Sequence, residues 1–525
     1  MESIVKTIEG LRDPSAYGGF HRVDEVTVAQ THISAVFLAG DYVYKIKKPL
    51  NLGFLDFSTL EKRRHYCHEE VRLNRRLCPD IYLGVVTVKD NNGRITIGGE
   101  GEVIDYAVFM KRMPESGMMD VMLENDEVTK KHVAMIAGEL ARFYKRARTG
   151  EGIDEFGTAE AISVNTTENF DQTYKYVGET IDREIYDDIK TYTDGFYLEK
   201  GDLIEDRIAG GRIREGHGDL HARNICIDDD RVYIYDCIEF NDRFRIGDVA
   251  DDIAFLAMDL DFHLNPTLST HFVNEYIRLT GDKGLLGMLN FYACYHAFVR
   301  GKVLSFELDE PEVSGEEKER VRSEARLYFA LSHHYAVSEK RPFLGITFGL
   351  SGTGKSAISR PIAEEVGAEL ISSDIVRKEL FGIKPEEHSY EKLGEGIYSK
   401  EASIRTYDEI FSRAKRSLGE GRPVILDATF LIPKQRKRAG YLARQMGARF
   451  FIVETICPEE VVKKRIVKRM DSGSYSDATV DIYNKQCGYM KPLSTEERES
   501  TITVDTTAPK GENVKAVIRY LLLND

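Results

Sequence analysis

Along the first third of the chain, apolar and polar residues alternate with the two-residue period of strands. His32 to Lys48 reads HISAVFLAGDYVYKIKK, in which ISAVFL and YVYKIK flank Ala-Gly-Asp and predict a hairpin. A charged helical stretch follows from about Ser58 to Leu77. Next come YLGVVTV, a turn at Asn-Asn-Gly, RITI and YAVFMKRM. Hairpin, helix, hairpin and strand in that order predict a small sheet with one helix packed across it. From Glu127 the pattern turns helical and stays so to about residue 205. Two strand-like runs, NICID and RVYIYD, then flank Asp-Asp-Asp. Long helical segments fill most of 249 to 337, with breaks at Pro266, Gly281 and Gly284. The charged run from Val313 to Arg326 predicts a solvated helix.

Beyond the polar stretch Ser338-Glu339-Lys340-Arg341-Pro342 the pattern changes. Short apolar runs (FLGITFGL, ELISSD, VILDAT, RFFIVET, STITVD) alternate with helical segments to the end. Such alternation predicts a parallel sheet with crossover helices. A domain boundary is therefore expected at 338/339, with no internal repeat or low-complexity tract on either side.

At 525 residues the chain exceeds one ordinary core, and its 42% hydrophobic and 30% charged residues match a globular protein. The N-terminal MESIVKTIEGLRDP lacks a signal-peptide pattern, and no run is long and apolar enough to span a bilayer. Seven scattered cysteines show no CxxC pair or zinc-like spacing, so reduced thiols in a cytoplasmic protein are expected. The net charge of −15 argues against wholesale nucleic-acid binding but is unevenly spread. Residues 339–525 hold 31 Lys and Arg against 27 Asp and Glu, net +4, and residues 1–338 hold 41 against 60, net −19.

Gly349-Leu350-Ser351-Gly352-Thr353-Gly354-Lys355-Ser356 satisfies G-x-x-x-x-G-K-[ST] between an apolar strand and a helical segment. Its glycines let backbone N–H groups turn inward around phosphate oxygens. Lys355 then reaches the β- and γ-phosphates, and Ser356 is placed to hold magnesium. ELISSD leads into Asp374, with Arg377 one helical turn on; a carboxylate at a strand end beside such a loop suits an acceptor hydroxyl. A helix-capping aspartate is the structural alternative there. VILDAT places Asp427 where it can hold magnesium through water. In VVKKRIVKRM, Arg465 and Arg469 share one helix face, suited to phosphate or to solvent. The following DSGSYSDATVDIYNKQ reads as a lid tip and second helix, giving an arginine lid over about 459–490.

The segment EGHGDLHARNICIDDDRVYIYDCIEF holds a second constellation. Asp219 and Asn224 lie five apart in H-G-D-x-x-x-x-N, and a strand-like run delivers Asp236. A loop aspartate can take an acceptor proton while an asparagine and a strand-end aspartate hold metal. Such a site needs an upstream lysine on a strand and a helical glutamate. Lys45 is favoured, with Lys47 on the same strand face left open, and the partner is Glu69 or, on its helical stripe, Glu70.

GLSGTGKS, SSDIVRKEL, VILDATF and R-x-x-x-R before SDA resemble the P-loop kinases that include polynucleotide, zeta-toxin-like and gluconate kinases. That resemblance, over about 343–520, implies Asp374 as acceptor base, Arg377 and Arg436 as substrate-side cations, and Arg465 and Arg469 as lid arginines. The upstream residues resemble the aminoglycoside phosphotransferase family, also called choline and fructosamine kinase-like. THISAVFLAGDYVYKIKKPLNLGFLDFSTLEKR and IGDVADDIAFLAMDLD look like signatures of bacterial fusions joining the two modules. The resemblance implies Asp219 as base, Asn224 and Asp236 as magnesium ligands, Lys45 with Glu70 as the phosphate-positioning pair, and His217 as support for the loop. No G-x-G-x-x-G precedes Lys45; Thr31-His32-Ile33-Ser34 stands where a phosphate-covering turn belongs.

The expected architecture is thus an α+β protein-kinase-like bilobal domain over 1–338 (small lobe about 20–115, helical lobe about 120–337), followed by an α/β P-loop domain over 339–525. The expected function is ATP- and Mg2+-dependent phosphotransfer to a hydroxyl of a small molecule, with GTP open at one site. One regulatory module, or a C-terminal module acting on nucleotides or nucleic-acid 5′ ends, is the alternative. No membrane partner is expected, and oligomeric state is left open.

Overall fold

The computed structural model describes residues 2–310, 313–338, 342–384, 396–470 and 479–523. They group into two compact units: Met1–Glu179, Lys190–His263 and Leu268–Ser314 form the first; Thr180–Ile189, Leu264–Thr267 and Gly315–Asp525 form the second. Besides its two short upstream segments, the second unit takes in the chain from Gly315 onward. The Gly315–Ser338 helix lies along the Lys510–Leu523 helix of its own unit and buries Val321, Ala325 and Phe329. It is therefore not the wholly solvated helix its charges predict.

The first unit opens with a six-stranded antiparallel sheet of β1 (Val26–Gln30), β2 (Ser34–Ala39), β3 (Tyr42–Lys47), β4 (Tyr82–Asn91), β5 (Arg94–Ile97) and β6 (Glu102–Lys111), in the order β1-β2-β3-β6-β4-β5. The expected hairpins and the helix between them are present, the helix spanning Leu60–Asn74 with Thr59 as its cap. β1, an edge strand not expected from sequence, runs into β2 through residues 31–33. Side-chain alternation gives the two faces different tasks. Tyr44, Ile46, Phe37 and Ile95 pack with Ile8, Leu11 and Tyr17, so residues before 20 complete one core. Val43, Val108 and Met110 face Cys67 and Val71 of the helix. On β3 this period sends Lys45 and Lys47 to the helix side.

Further along the unit, β7 (Ile213–Glu215) pairs with β10 (Ile246–Asp248), and β8 (Ile225–Asp228) forms a hairpin with β9 (Arg231–Ile234). The Val249–Phe262 helix, capped by Asp248, packs on the Leu286–Glu307 helix.

In the second unit β11 (Phe343–Phe348), β12 (Glu369–Ser372), β13 (Val424–Asp427), β14 (Arg449–Ile456) and β15 (Thr501–Asp505) form a parallel sheet ordered β12-β13-β11-β14-β15. All five strands match the apolar runs read from sequence. Both faces are buried, as parallel sheets require. Leu344, Ile346, Leu426 and Ile452 point to one side and Ile425, Phe451 and Val453 to the other. Because every strand runs the same way, the residues following β11, β12 and β13 meet at one edge.

Candidate functional sites

In the first unit, Lys45 Nζ lies 3.0 Å from Glu70 Oε1 and also pairs with Asp236, 191 residues away in sequence. Lys47 has a different role. Its ammonium is 2.6 Å from Glu70 Oε2, pairs with Glu239 and sits 4.9 Å from the centre of the Phe57 ring. Its side chain is 1% exposed against 14% for Lys45. Lys45 is thus the lysine beside Asp236, and Lys47 is enclosed. Burial works against ionisation of Glu70, yet the Lys45 and Lys47 ammonium groups hold its carboxyl down at about 2. Glu69 instead pairs with Arg72 on the helix surface.

Asp219 sits in a loop held from behind by Asp252. The His217 and Gly218 N–H groups donate to the two Asp252 oxygens at 2.7 and 2.8 Å, and Tyr144 donates its hydroxyl to the same carboxylate. Gly218 has φ of +85°, and a Cβ there would lie 2.3 Å from the Phe244 carbonyl oxygen. Only glycine fits. His217 is buried, with Nε2 3.0 Å from the Tyr235 carbonyl and Nδ1 accepting the Asp219 N–H at 3.2 Å. Asn224 donates to both the Asp219 carbonyl and its Oδ2, at 2.9 and 3.0 Å. Burial raises the Asp219 pKa, but His221, Arg300 and His217 outweigh it and hold the carboxyl well below its usual range.

Asp236 follows β9 in a left-handed conformation, φ +63°, and its N–H donates to the Tyr82 hydroxyl at 3.2 Å. Asn74 fixes the next residue: its carbonyl oxygen accepts the Cys237 N–H at 2.9 Å while its amide donates to the Glu70 carbonyl at 2.8 Å. Asn74, Asp252 and Glu239 were not among the expected site residues, and Lys47 was expected only as the alternative to Lys45. Glu239 lies only three positions beyond Asp236, but nothing local marks it as the partner of Lys47.

In the second unit, Gly349 to Ser356 joins β11 to the Lys355–Glu365 helix, whose cap is Gly354 at φ +100°. At Gly352, φ is +85° and a Cβ would lie 2.9 Å from Val462 and Ile466. The adjoining Glu459–Met470 helix therefore rests directly on the loop. Lys355 Nζ donates to the Leu350 carbonyl at 2.8 Å, and Thr353 Oγ1 is 2.7 Å from Thr455 Oγ1. The Ser351 N–H donates to Gln486 Oε1 at 2.8 Å.

Asp427 ends β13 and is 5% exposed. Burial raises its pKa, opposed by the neighbouring Ser356 hydroxyl and by the Lys355 ammonium. Asp374 lies in the first turn of the Ser373–Leu380 helix, whose cap is Ser372, so it is not itself the cap. Arg377 donates to it at 3.2 Å and stacks over Tyr398. The edge of the parallel sheet thus brings together Lys355, Ser356, Asp427 and Asp374.

Two arginines differ from expectation. Arg436 is buried at 1% exposure and fully engaged: it grips Glu497 through Nε and Nη2 at 2.8 and 3.0 Å and donates to the carbonyls of Phe430, Lys491 and Pro492. All its donors are used inside the unit, where it acts as a brace. Arg465 donates to Thr506 Oγ1 and carbonyl at 2.9 and 2.7 Å, tying its helix to the residues after β15. The Arg469 side chain and the expected lid tip at 471–478 lie outside the described residues. Among the described residues no group of three or more His, Cys, Asp or Glu is arranged to hold a metal, and no helix is long and apolar enough to cross a membrane.

A family model described as an AAA domain matches residues 344–493. Solved structures similar to about a third of the chain include a putative kinase from Chloroflexus aurantiacus J-10-fl, at 21% identity and TM-score 0.28, covering 34% of this chain and 93% of that one. A gluconokinase from Sinorhizobium meliloti 1021 is also 21% identical, with TM-score 0.26, covering 35% and 93%. "Uncharacterized protein Rv2004c" from Mycobacterium tuberculosis (strain ATCC 25618 / H37Rv) is 33% identical over 495 residues, 93% of this chain and 94% of its own length. The second unit is a P-loop nucleotide-binding domain, and the whole chain belongs to the family of the mycobacterial Rv2004c protein.

Proposed function

We propose that the protein is an ATP- and magnesium-dependent phosphotransferase with two kinase-like sites, each serving a hydroxyl group of a small molecule. In the second unit one observation carries the reading: the Ser356 hydroxyl and the buried Asp427 carboxylate are neighbours beside Lys355. That pairing places two oxygen donors for a hard divalent cation next to a cation for phosphate. The cradle fits the group as well, since the glycine backbone at 352 and 354 leaves no room for side chains. When bound, MgATP would supply a transferable γ-phosphoryl group that builds up negative charge during transfer. The loop N–H groups and Lys355 would stabilise that charge, Ser356 and Asp427 would hold the metal, and Asp374, oriented by Arg377, would accept the proton of the acceptor hydroxyl.

The reading of the first unit rests on the meeting of Lys45 with both Glu70 and Asp236. There Asn224 and Asp236 would offer oxygens to metal and Asp219 would receive the acceptor's proton. The likeness of this unit to the aminoglycoside phosphotransferase-like fold, a bilobal kinase-like arrangement, belongs to the same proposal.

The decisive experiment incubates the purified protein with a metabolite extract, ATP and magnesium, and detects gained phosphate by mass. Asp219→Ala and Lys355→Ala are each expected to remove a different product. If one variant leaves every product unchanged, the unit carrying it is not a kinase.

A further inference from the structure

Five charged side chains follow one another in the first unit with alternating sign: Asp236, Lys45, Glu70, Lys47 and Glu239. A single lysine–glutamate pair suffices to place a phosphate-binding ammonium, so the last two charges need a reason. Lys47, Glu70 and Glu239 have side-chain exposures of 1%, 0% and 5%. Removing such charges from water is costly, and well-packed apolar groups of similar volume commonly serve stability as well or better. Each oxygen of Glu70 has its own ammonium: Oε1 faces Lys45 and Oε2 faces Lys47. Glu239 is three residues past Asp236, so the Lys47–Glu239 pair also fastens β3 and the Leu60–Asn74 helix to the segment that carries Asp236.

We propose that Lys47 and Glu239 are positioning residues that hold Glu70 in place, so that Lys45 can leave Asp236 and engage phosphate without losing its anchor. This rests on the kinase reading of the first unit. Lys45 now shares its charge between Glu70 and Asp236. Once Asp236 turns to a metal, only Glu70 orients the lysine. A Glu70 carboxylate held through Oε2 keeps Oε1 aimed at Lys45; one released from Lys47 is free to rotate and easier to protonate. Lys47 makes no direct contact with the reacting groups in this scheme.

The test uses the full-length chain carrying Lys355→Ala, which silences the second site, and reads MgATP binding by calorimetry from pH 5 to 8 beside urea unfolding. Lys47→Met alone leaves Glu239 buried without a partner and is expected to destabilise the protein. Lys47→Met with Glu239→Leu replaces the ion pair by apolar contact and is expected to recover most of that loss. If Lys47 positions Glu70, this double variant still binds MgATP at least tenfold more weakly, and the defect deepens towards pH 5 as Glu70 takes up a proton. Lys47→Arg, which keeps the charge, is expected to retain more of the binding than Lys47→Met. A double variant that binds like its parent throughout this range overturns the inference alone. A parent that binds no MgATP overturns the kinase reading and the inference together.

Discussion

Gln486 accepts a hydrogen bond from the Ser351 N–H at 2.8 Å, joining the Val480–Tyr489 helix to the apex of the phosphate loop. Val462, Ile466 and Tyr483 complete the contact by packing against Leu350. Two helices that sequence places in a lid therefore already support the loop they are expected to cover. Gln486→Ala leaves the half-buried Ser351 donor without its acceptor, at a cost of about 1 kcal/mol. The expected result is several-fold weaker nucleotide binding at the second site, read by calorimetry in an Asp219→Ala background.

Arg436→Met is expected to lower stability by about 3–5 kcal/mol, because Glu497 then loses the partner of a largely buried ion pair. Adding Glu497→Leu is expected to recover much of it. Urea denaturation checks both. A fully stable Arg436→Met protein with a raised acceptor KM would restore the substrate-side role read from sequence.

Asp427 provides a pH test. Burial raises its pKa, and its carboxylate form is the one that holds metal. MgATP affinity at the second site is therefore expected to fall with decreasing pH, starting from a higher pH than for an exposed aspartate. Asp427→Asn is expected to weaken binding at every pH and to flatten this dependence, as followed by nucleotide titration across pH 4 to 8.

Glu70 has the opposite sign. Its folded pKa, about 2, lies below the value of about 4.3 for an unperturbed glutamate, so its contribution to stability is complete above the latter and fades as pH falls towards 2. Glu70→Gln is expected to unfold more easily near neutrality and to show a shallower loss of stability over that acid window. Denaturant titrations at several pH values measure the difference.

Gly218→Ala is expected to disrupt the Asp219 loop, since the new Cβ meets the Phe244 carbonyl oxygen and the backbone is left-handed there. Loss of phosphoryl transfer by the first site, with the product that depends on Lys355 retained, checks it in the extract assay.

Much of the fold was legible because its signals are local. The strand period placed Lys45 and Lys47 on one face of β3, and the five apolar runs after 342 became the five parallel strands. The phosphate loop and the H-G-D-x-x-x-x-N loop declare themselves by spacing, since backbone geometry within eight residues decides what each can reach. The edge strand β1 and the Glu2–Leu11 helix were not identified, because their apolar residues gain meaning only against the face formed by Phe37, Tyr44 and Ile95.

The sequence by itself determined two constellations of candidate residues, their order along the chain, and the parallel character of the second sheet. Tertiary structure alone decided which lysine meets Asp236, which one is enclosed by Glu239, and that Arg436 is consumed by Glu497. Those outcomes depend on partners 61 to 192 residues away, and an ammonium or guanidinium has the same charge whether it faces phosphate or a buried carboxylate. Distance and burial separate these roles, and both arise only when the chain folds.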